Sequence, residues 1–140
     1  MFNTLSFLPS CAGGAGFAPH QDSPAYIGLA DSHISVMVCV DASTIANGCL
    51  EVSPGRYSKG EIPLDFSGVI TAEAADKLLF RPVECNAGDI VLFDGYVPHR
   101  SDSNNSDGAR RGMFITYNKG TQGDHREEYY ADYYSIWQAK

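Results

Sequence analysis

Basic residues are scarce in this sequence. Lys and Arg number 10 against 17 Asp and Glu, which gives a formal net charge of −7 at neutral pH. Binding to nucleic acid or to an anionic membrane requires clustered basic side chains, so this balance argues against both kinds of partner. An anionic small molecule stays compatible with the composition, because a small site can be basic on an acidic protein.

Cysteine pairs at close spacing are also absent. The 4 cysteines, Cys11, Cys39, Cys49 and Cys85, lie far apart and form no C-x-x-C motif. This spacing does not indicate a zinc cluster or a redox pair. Cys39 and Cys49 fall within apolar runs, where we expect them to be small core residues.

The sequence has no long apolar run, and its N-terminus has no basic flank. We therefore expect neither a signal peptide nor a membrane span, and the cytoplasm is the default location. With 140 residues, 44% of them hydrophobic, the chain is long enough to bury a core. Residues 1–140 are predicted to form one domain.

Short apolar segments separated by turns dominate the pattern. Residues 33–40 are rich in β-branched side chains, and an Asn47-Gly48 turn leads from them to a short segment at 49–52. These two segments predict a hairpin with a long loop. Further strands are predicted at 80–85, 90–93 and 112–117, whereas residues 1–19 allow at most one short strand before their glycines. Strands that outnumber helices favour an antiparallel sandwich or jelly roll.

Two helices are predicted beside these strands. Thr71 can cap a short helix at 72–79, inside an insertion that spans 53–80. Asp124 and Glu127 have capping-box spacing at the start of a C-terminal helix. Two stripes at helical intervals predict that this helix packs on the sheet: Tyr129, Tyr133, Ile136 and Tyr130, Tyr134, Trp137.

The chemistry of the chain centres on His20, Asp22 and His99. His20 and Asp22 are one residue apart, so on an extended chain both side chains point to the same face. His99 follows an apolar strand and can converge with them in a jelly roll. Two imidazoles and one carboxylate leave three positions open on a divalent metal, which is typical of non-haem iron(II) oxygenases. Without His99, a hydrogen-bonded surface couple is the alternative reading of His20 and Asp22. His33 is expected to be exposed or hydrogen-bonded rather than a ligand.

Four motifs surround these residues in a fixed order. They are His20-Gln21-Asp22; Asn47-Gly48-Cys49-Leu50 with Pro54-Gly55; Gly88-Asp89-Ile90-Val91-Leu92-Phe93; and Pro98-His99 with Ser101, Asn104, Ser106 and Arg110-Arg111. With this ordered set the chain resembles the phytanoyl-CoA dioxygenase family of iron(II)- and 2-oxoglutarate-dependent oxygenases. The resemblance covers roughly residues 15 to 120 and implies a mainly β double-stranded β-helix, the cupin-like jelly roll.

The resemblance also implies roles for individual residues. His20, Asp22 and His99 would be the iron ligands and form the catalytic centre. Arg110 would pair with the distal carboxylate of 2-oxoglutarate, since a guanidinium can bind both carboxylate oxygens. Arg111 is a rival for that role, although alternation places it on the other face of the strand. Two further residues would assist with the co-substrate: Ser101 and Gln21.

The cofactors implied are Fe(II), 2-oxoglutarate and O2, and the reaction is hydroxylation of a C–H bond in a small, polar or anionic molecule. Asp22 argues against a halogenase, because halogenases of this kind usually replace the carboxylate by a small residue. Family members carry a longer region before the His-x-Asp motif, so the chain resembles an N-terminally incomplete member. Arg56, Arg100 and His33 could bind an anionic substrate, but solvated surface positions are the expectation for all three.

Two alternatives remain open on the sequence. The chain could be a non-catalytic or fragmentary remnant that binds a ligand or partner without turnover. The same three ligands could also serve a zinc hydrolase, which would need a general base beside the open position. The sequence contains no H-E-x-x-H motif to supply one.

Overall fold

The computed structural model describes residues 2–26, 28–55 and 60–131, with residues 2–10 as backbone alone. Its strands are β1 (Phe2–Ser10), β2 (Phe17–His20), β3 (His33–Cys39), β4 (Leu50–Val52), β5 (Arg81–Val83), β6 (Ile90–Asp94), β7 (His99–Ser101) and β8 (Arg110–Asn118). One short helix, α1 (Ala72–Ala75), lies in the predicted insertion, and residues 126–131 are helical.

The strands form two antiparallel four-stranded sheets. The major sheet has the order β1-β8-β3-β6, and the minor sheet has the order β2-β7-β4-β5. Strands that are distant in the chain are neighbours in both sheets, as a jelly roll requires. The mainly β architecture predicted from the sequence is confirmed.

Side chains alternate between the interior and the outer surface along β3. Met37 and Cys39 are 2% and 3% exposed, whereas Ile34 is 48% exposed. Met37 and Cys39 pack with Leu50 of the minor sheet and Phe93 of β6 in the hydrophobic core. Cys49 is also buried, so the two cysteines predicted to lie in the core do so.

The predicted hairpin between residues 33–40 and 49–52 is wrong. β3 pairs with β6 and β8 in the major sheet, whereas β4 pairs with β5 and β7 in the minor sheet. The connection crosses between the sheets, and Gly48 turns the chain with a φ of 74°. The predicted turn at Asn47-Gly48 is present, but a turn does not decide which strand becomes the hydrogen-bonded partner.

The N-terminal strand is longer than expected. β1 extends over 9 residues and pairs with β8 from Phe2↔Tyr117 to Ser10↔Arg110. The register shifts between Phe2 and Thr4, and Pro9 lies opposite Arg111. β1 is an edge strand of the major sheet, where a proline is tolerated because one side of the strand makes no ladder hydrogen bonds.

The helix predicted at 72–79 exists in shorter form, and the predicted C-terminal helix is present over residues 126–131 of the described chain. After α1, the amides of Lys77 and Leu78 bond to Ala74 and Ala75, so the helix continues only as tighter turns. Asp124 accepts a hydrogen bond from the Arg126 amide at the start of the C-terminal helix, as a capping residue does. Of the predicted stripes, Tyr133, Tyr134, Ile136 and Trp137 lie outside the described residues. Within residues 2–26, 28–55 and 60–131, no helix has the length and hydropathy needed to cross a membrane.

Candidate functional site

His20 and His99 lie opposite each other in the minor sheet. They are register partners of β2 and β7, and their ring centroids are 4.1 Å apart. Asp22 lies two residues after the end of β2, and its Oδ1 lies 3.8 Å from His20 Nε2 and 3.5 Å from His99 Nε2. One potential ligand atom from each of the three residues lies within 4.8 Å of the other two, so the group can hold a single metal ion.

Each imidazole is oriented by the backbone of its own strand. His20 Nδ1 lies 2.8 Å from the Ala18 carbonyl oxygen, and His99 Nδ1 lies 3.0 Å from that of Val97. A carbonyl can only accept, so both rings carry their proton on Nδ1. Nε2 then presents its lone pair toward Asp22, as metal ligation requires.

The Asp22 carboxylate is also held by a hydrogen bond from the major sheet. Ser35 donates a short hydrogen bond to Asp22 Oδ2, which leaves Oδ1 directed at the two histidines. Ser35 is 2% exposed and points inward from β3 of the major sheet. This contact ties the candidate ligand set, which is His20, Asp22 and His99, to the major sheet. Such supporting partners orient ligands and raise metal affinity.

His99 favours the neutral imidazole that a metal ligand needs. Burial lowers its pKa, and the charge of Asp22 opposes this shift while that of His20 adds to it. His99 is 5% exposed, and its ring packs 4.8 Å from the Phe93 ring. Desolvation disfavours the imidazolium form in such a setting.

A cavity of ≈ 200 Å³ adjoins the ligand set. Arg110 and Ser101 contribute polar groups to its wall, and Phe17, Leu50 and Phe114 contribute apolar ones. Ser101 Oγ accepts a hydrogen bond from the Phe17 amide at 3.2 Å, so its proton is available to a ligand. Both predicted carboxylate-binding residues therefore line the same cavity as His20 and His99.

Arg110 and Arg111 face opposite sides of β8. Arg110 lines the cavity, and its Nε donates to the Asn47 carbonyl at 3.0 Å, which leaves the terminal guanidinium nitrogens for other partners. Burial lowers the pKa of Arg110, although a guanidinium stays charged. Arg111 forms an ion pair with Asp41 at 2.7 Å on the outer surface. The position of Arg110 is the one that suits a buried carboxylate.

Gln21 is buried but lies outside the cavity wall. Its amide nitrogen donates to the carbonyls of Tyr96 at 2.6 Å and Gly60 at 3.2 Å, and its oxygen accepts from the Ile62 amide at 2.8 Å. Strand alternation turns it away from His20 and Asp22. Its contacts anchor residues 60–62, and a role for Gln21 beside the co-substrate stays a prediction.

The three residues considered as possible anion-binding groups, Arg100, Arg56 and His33, differ in their surroundings. Arg100 is partly exposed, with 38% of its side chain accessible; it forms an ion pair with Glu51 at 2.9 Å, and its guanidinium lies 4.5 Å from the Phe80 ring centroid. Arg56 lies outside the described residues. The expectation that His33 is exposed or hydrogen-bonded is wrong: it is 3% exposed, and neither ring nitrogen has a hydrogen-bond partner within the part of the chain that the structure describes.

Ser35 is the site residue that the sequence reading missed. A polar residue at an inward position of an otherwise apolar strand was the available signal. Period-two alternation from His33 places Ser35 on the buried face, where a hydroxyl needs a partner. The identity of that partner follows only from the packing of the two sheets.

Comparison with curated proteins gives two close relatives. A 2-aminoethylphosphonate dioxygenase from the uncultured bacterium HF130_AEPn_1 is 46% identical over 121 residues, covering 86% of this chain and 46% of that protein. A methylphosphonate hydroxylase from Gimesia maris is 45% identical over 120 residues, again covering 86% of this chain and 46% of that protein. The chain therefore spans about half the length of these relatives.

Comparison with solved structures supports the fold. The crystal structure of EctD from S. alaskensis with 2-oxoglutarate and 5-hydroxyectoine superposes with a TM-score of 0.70 at 22% identity, covering 87% of this chain and 45% of that one. This likeness confirms the predicted jelly roll. The sequence profile of the phytanoyl-CoA dioxygenase (PhyH) family matches residues 1–112, and the chain belongs to that family.

Proposed function

We propose that residues 1–140 form the jelly-roll domain of an iron(II)- and 2-oxoglutarate-dependent dioxygenase that hydroxylates a C–H bond of a small phosphonate. One observation carries this proposal. His20, Asp22 and His99 converge with each side chain held by its own hydrogen bond, beside a cavity that contains Arg110. That combination supplies a metal site and a carboxylate site in adjacent positions.

The three converging side chains fit iron(II). Two neutral imidazoles and one carboxylate are the ligand set of non-haem iron oxygenases, and iron(II) supplies dioxygen activation coupled to 2-oxoglutarate decarboxylation when it is bound. The chain orients the ligands through Ala18, Val97 and Ser35. The metal therefore meets ligands that are already arranged.

The cavity fits a dicarboxylate co-substrate. The terminal nitrogens of Arg110 can bind both oxygens of the distal carboxylate, and Ser101 can donate a third hydrogen bond to it. Leu50 and Phe114 provide apolar walls for the methylene groups and exclude water. Binding by Arg110 places the opposite end of the molecule toward His20 and His99.

The names of the relatives suggest the substrate class. They act on 2-aminoethylphosphonate and methylphosphonate, which are small anions that a negatively charged protein can bind at a local polar site. The reaction consumes one 2-oxoglutarate and one O2 for each C–H bond. It yields succinate, carbon dioxide and the hydroxylated phosphonate. One oxygen atom of O2 enters succinate, and the other enters the new hydroxyl group.

Turnover of the chain tests this proposal. Protein with iron(II), 2-oxoglutarate and air is mixed with methylphosphonate or 2-aminoethylphosphonate, and succinate and ³¹P NMR signals are followed. We expect succinate and a hydroxylated phosphonate in equal amounts with at least one substrate. Co-substrate binding without turnover would favour the non-catalytic alternative.

A further inference from the structure

His33 occupies a buried position beside the ligand set. It is the first residue of β3, and it points inward like Ser35, which holds Asp22. The backbone around it is fixed, since its carbonyl accepts from the Gly95 amide at 2.9 Å and the Gly95 carbonyl accepts from the Ser23 amide at 2.9 Å. The histidine therefore lies one inward position away from the residue that orients a predicted ligand.

Aromatic rings hold the imidazole in place. The Tyr26 ring lies 4.4 Å from the His33 ring at an interplanar angle of 30°. The Tyr129 ring stacks on Tyr26 at a centroid distance of 5.0 Å. Tyr129 belongs to the C-terminal helix, so the stack joins the sheet to that helix. A phenylalanine would satisfy this packing, and the two nitrogens need another explanation.

Neither nitrogen of His33 has a hydrogen-bond partner among residues 2–26, 28–55 and 60–131. A polar group at 3% exposure without a partner is unfavourable. Such a group is compatible with a folded protein where a ligand completes its hydrogen bonds. The imidazole thus has a ring nitrogen that a bound ligand could hydrogen-bond.

The position of His33 separates it from the proposed co-substrate clamp. His33 is the register partner of Asn118 at one end of β8, and Arg110 begins the other end. At ~3.4 Å per residue, the two ends of the strand are roughly 27 Å apart. Ser35, which contacts Asp22, is paired with Thr116 between these ends. Along β8, His33 therefore lies on the other side of the Asp22–Ser35 contact from Arg110.

The charge state of His33 indicates the kind of ligand. Burial lowers its pKa, and the charges of Asp22 and Asp94 oppose that shift. A neutral imidazole offers one donor and one acceptor. The two ring nitrogens point in divergent directions, so one phosphonate group can meet one of them. An anionic oxygen can accept from the N–H, or a P–OH group can donate to the other nitrogen.

We propose that His33, held by the Tyr26–Tyr129 stack, binds the phosphonate group of the substrate by a direct hydrogen bond from one ring nitrogen. The proposal rests on the proposed function, and it assigns a substrate-binding residue. Binding of the phosphonate to His33 would place the substrate beside Asp22, on the opposite side of the candidate ligand set from Arg110.

The test uses the chain loaded anaerobically with iron(II) and 2-oxoglutarate. The visible charge-transfer band of the chelate is recorded while methylphosphonate or 2-aminoethylphosphonate is added to wild type, His33→Phe and His33→Gln. We expect His33→Phe to raise the half-saturating phosphonate concentration about 10- to 100-fold, the factor expected for a lost hydrogen bond to a charged group. His33→Gln keeps a donor and an acceptor and should recover part of that loss. Ser43→Ala is the control, since it also removes a buried polar group that has no hydrogen-bond partner within the described part of the chain.

The outcomes separate the two proposals. A band that fails to form in wild type contradicts the proposed function, and the subsite with it. A normal band with equal phosphonate affinity in wild type and His33→Phe overturns the subsite alone. Ring-nitrogen NMR of histidine-labelled wild type, loaded with zinc(II) and 2-oxoglutarate, provides a measurement that needs no variant. Methylphosphonate should shift the His33 signals, and unchanged His33 signals at saturation would contradict the assignment.

Discussion

His20 and His99 are cross-strand partners whose ring centroids lie 4.1 Å apart. The pairing of β2 with β7 brings them together, so the candidate metal centre is part of the minor sheet itself. Asp22 joins them from the residue pair that follows β2, and Ser35 connects it to the major sheet. Sheet pairing and metal binding should therefore stabilise one another.

Ser35→Ala tests the connection to Asp22. Loss of the hydroxyl frees Asp22 Oδ2 from its partner, so we expect metal affinity to fall about 10- to 100-fold. Anaerobic titration of iron(II) against a chelator measures this effect. Ser43→Ala is the control, because Ser43 is equally buried and its hydroxyl has no hydrogen-bond partner within the described part of the chain. Equal affinities in the two variants would contradict the role given to Ser35.

Arg110→Ala and Arg111→Ala should behave differently although the residues are adjacent. Arg110 lines the cavity, and we expect its loss to weaken 2-oxoglutarate binding about 10-fold or more while iron(II) still binds. Arg111 is on the outer surface, and its loss should leave 2-oxoglutarate affinity unchanged. Calorimetric titration of 2-oxoglutarate into the metal-loaded variants distinguishes them. The reverse pattern would mean that the register assigned to β8 is off by one residue.

The Asp41–Arg111 ion pair predicts an acid-dependent contribution to stability. Hydrogen bonds from the Arg111 side chain and backbone lower the pKa of Asp41 from 3.8 to about 2. Because the folded-state pKa is depressed, the contribution is complete above 3.8 and is lost as the pH falls toward about 2. Wild type should be more stable than Arg111→Gln at neutral pH, with a difference that disappears over that window. A difference that stays constant down to the acid limit would contradict this account.

Gly48 and Gly13 provide a matched test of backbone packing. Their φ angles are 74° and 73°, but a Cβ on Gly48 would lie 2.2 Å from the Asp102 carbonyl oxygen, whereas nothing lies within 4 Å of one on Gly13. Gly13→Ala should cost about 1–2 kcal/mol from backbone strain alone. Gly48→Ala adds overpacking and should cost about 2–5 kcal/mol in total. Denaturant unfolding measures both, and equal costs would exclude the close approach at Asp102.

The sequence predicted the local features of the site well. Period-two spacing places His20 and Asp22 on one face, and alternation along β8 separates Arg110 from Arg111. It did not predict which strands would pair, because the turn at Asn47-Gly48 fixes a change of direction and leaves the partner of β4 to long-range packing. His33 was misjudged for the same reason. Its ring packs against Tyr26, which in turn stacks on Tyr129 of the C-terminal helix, and neither contact is visible in the pattern of β3.

The most direct test of the central claim is an anaerobic titration of the chain with iron(II) and 2-oxoglutarate, followed by visible spectroscopy. We expect a charge-transfer band that requires both additions and saturates at one equivalent of iron(II) per chain. His99→Ala should abolish the band, because it removes a predicted ligand that is 5% exposed and already oriented by Val97. A wild-type protein that folds but gives no band, or a band that survives His99→Ala, would contradict the assignment of this site.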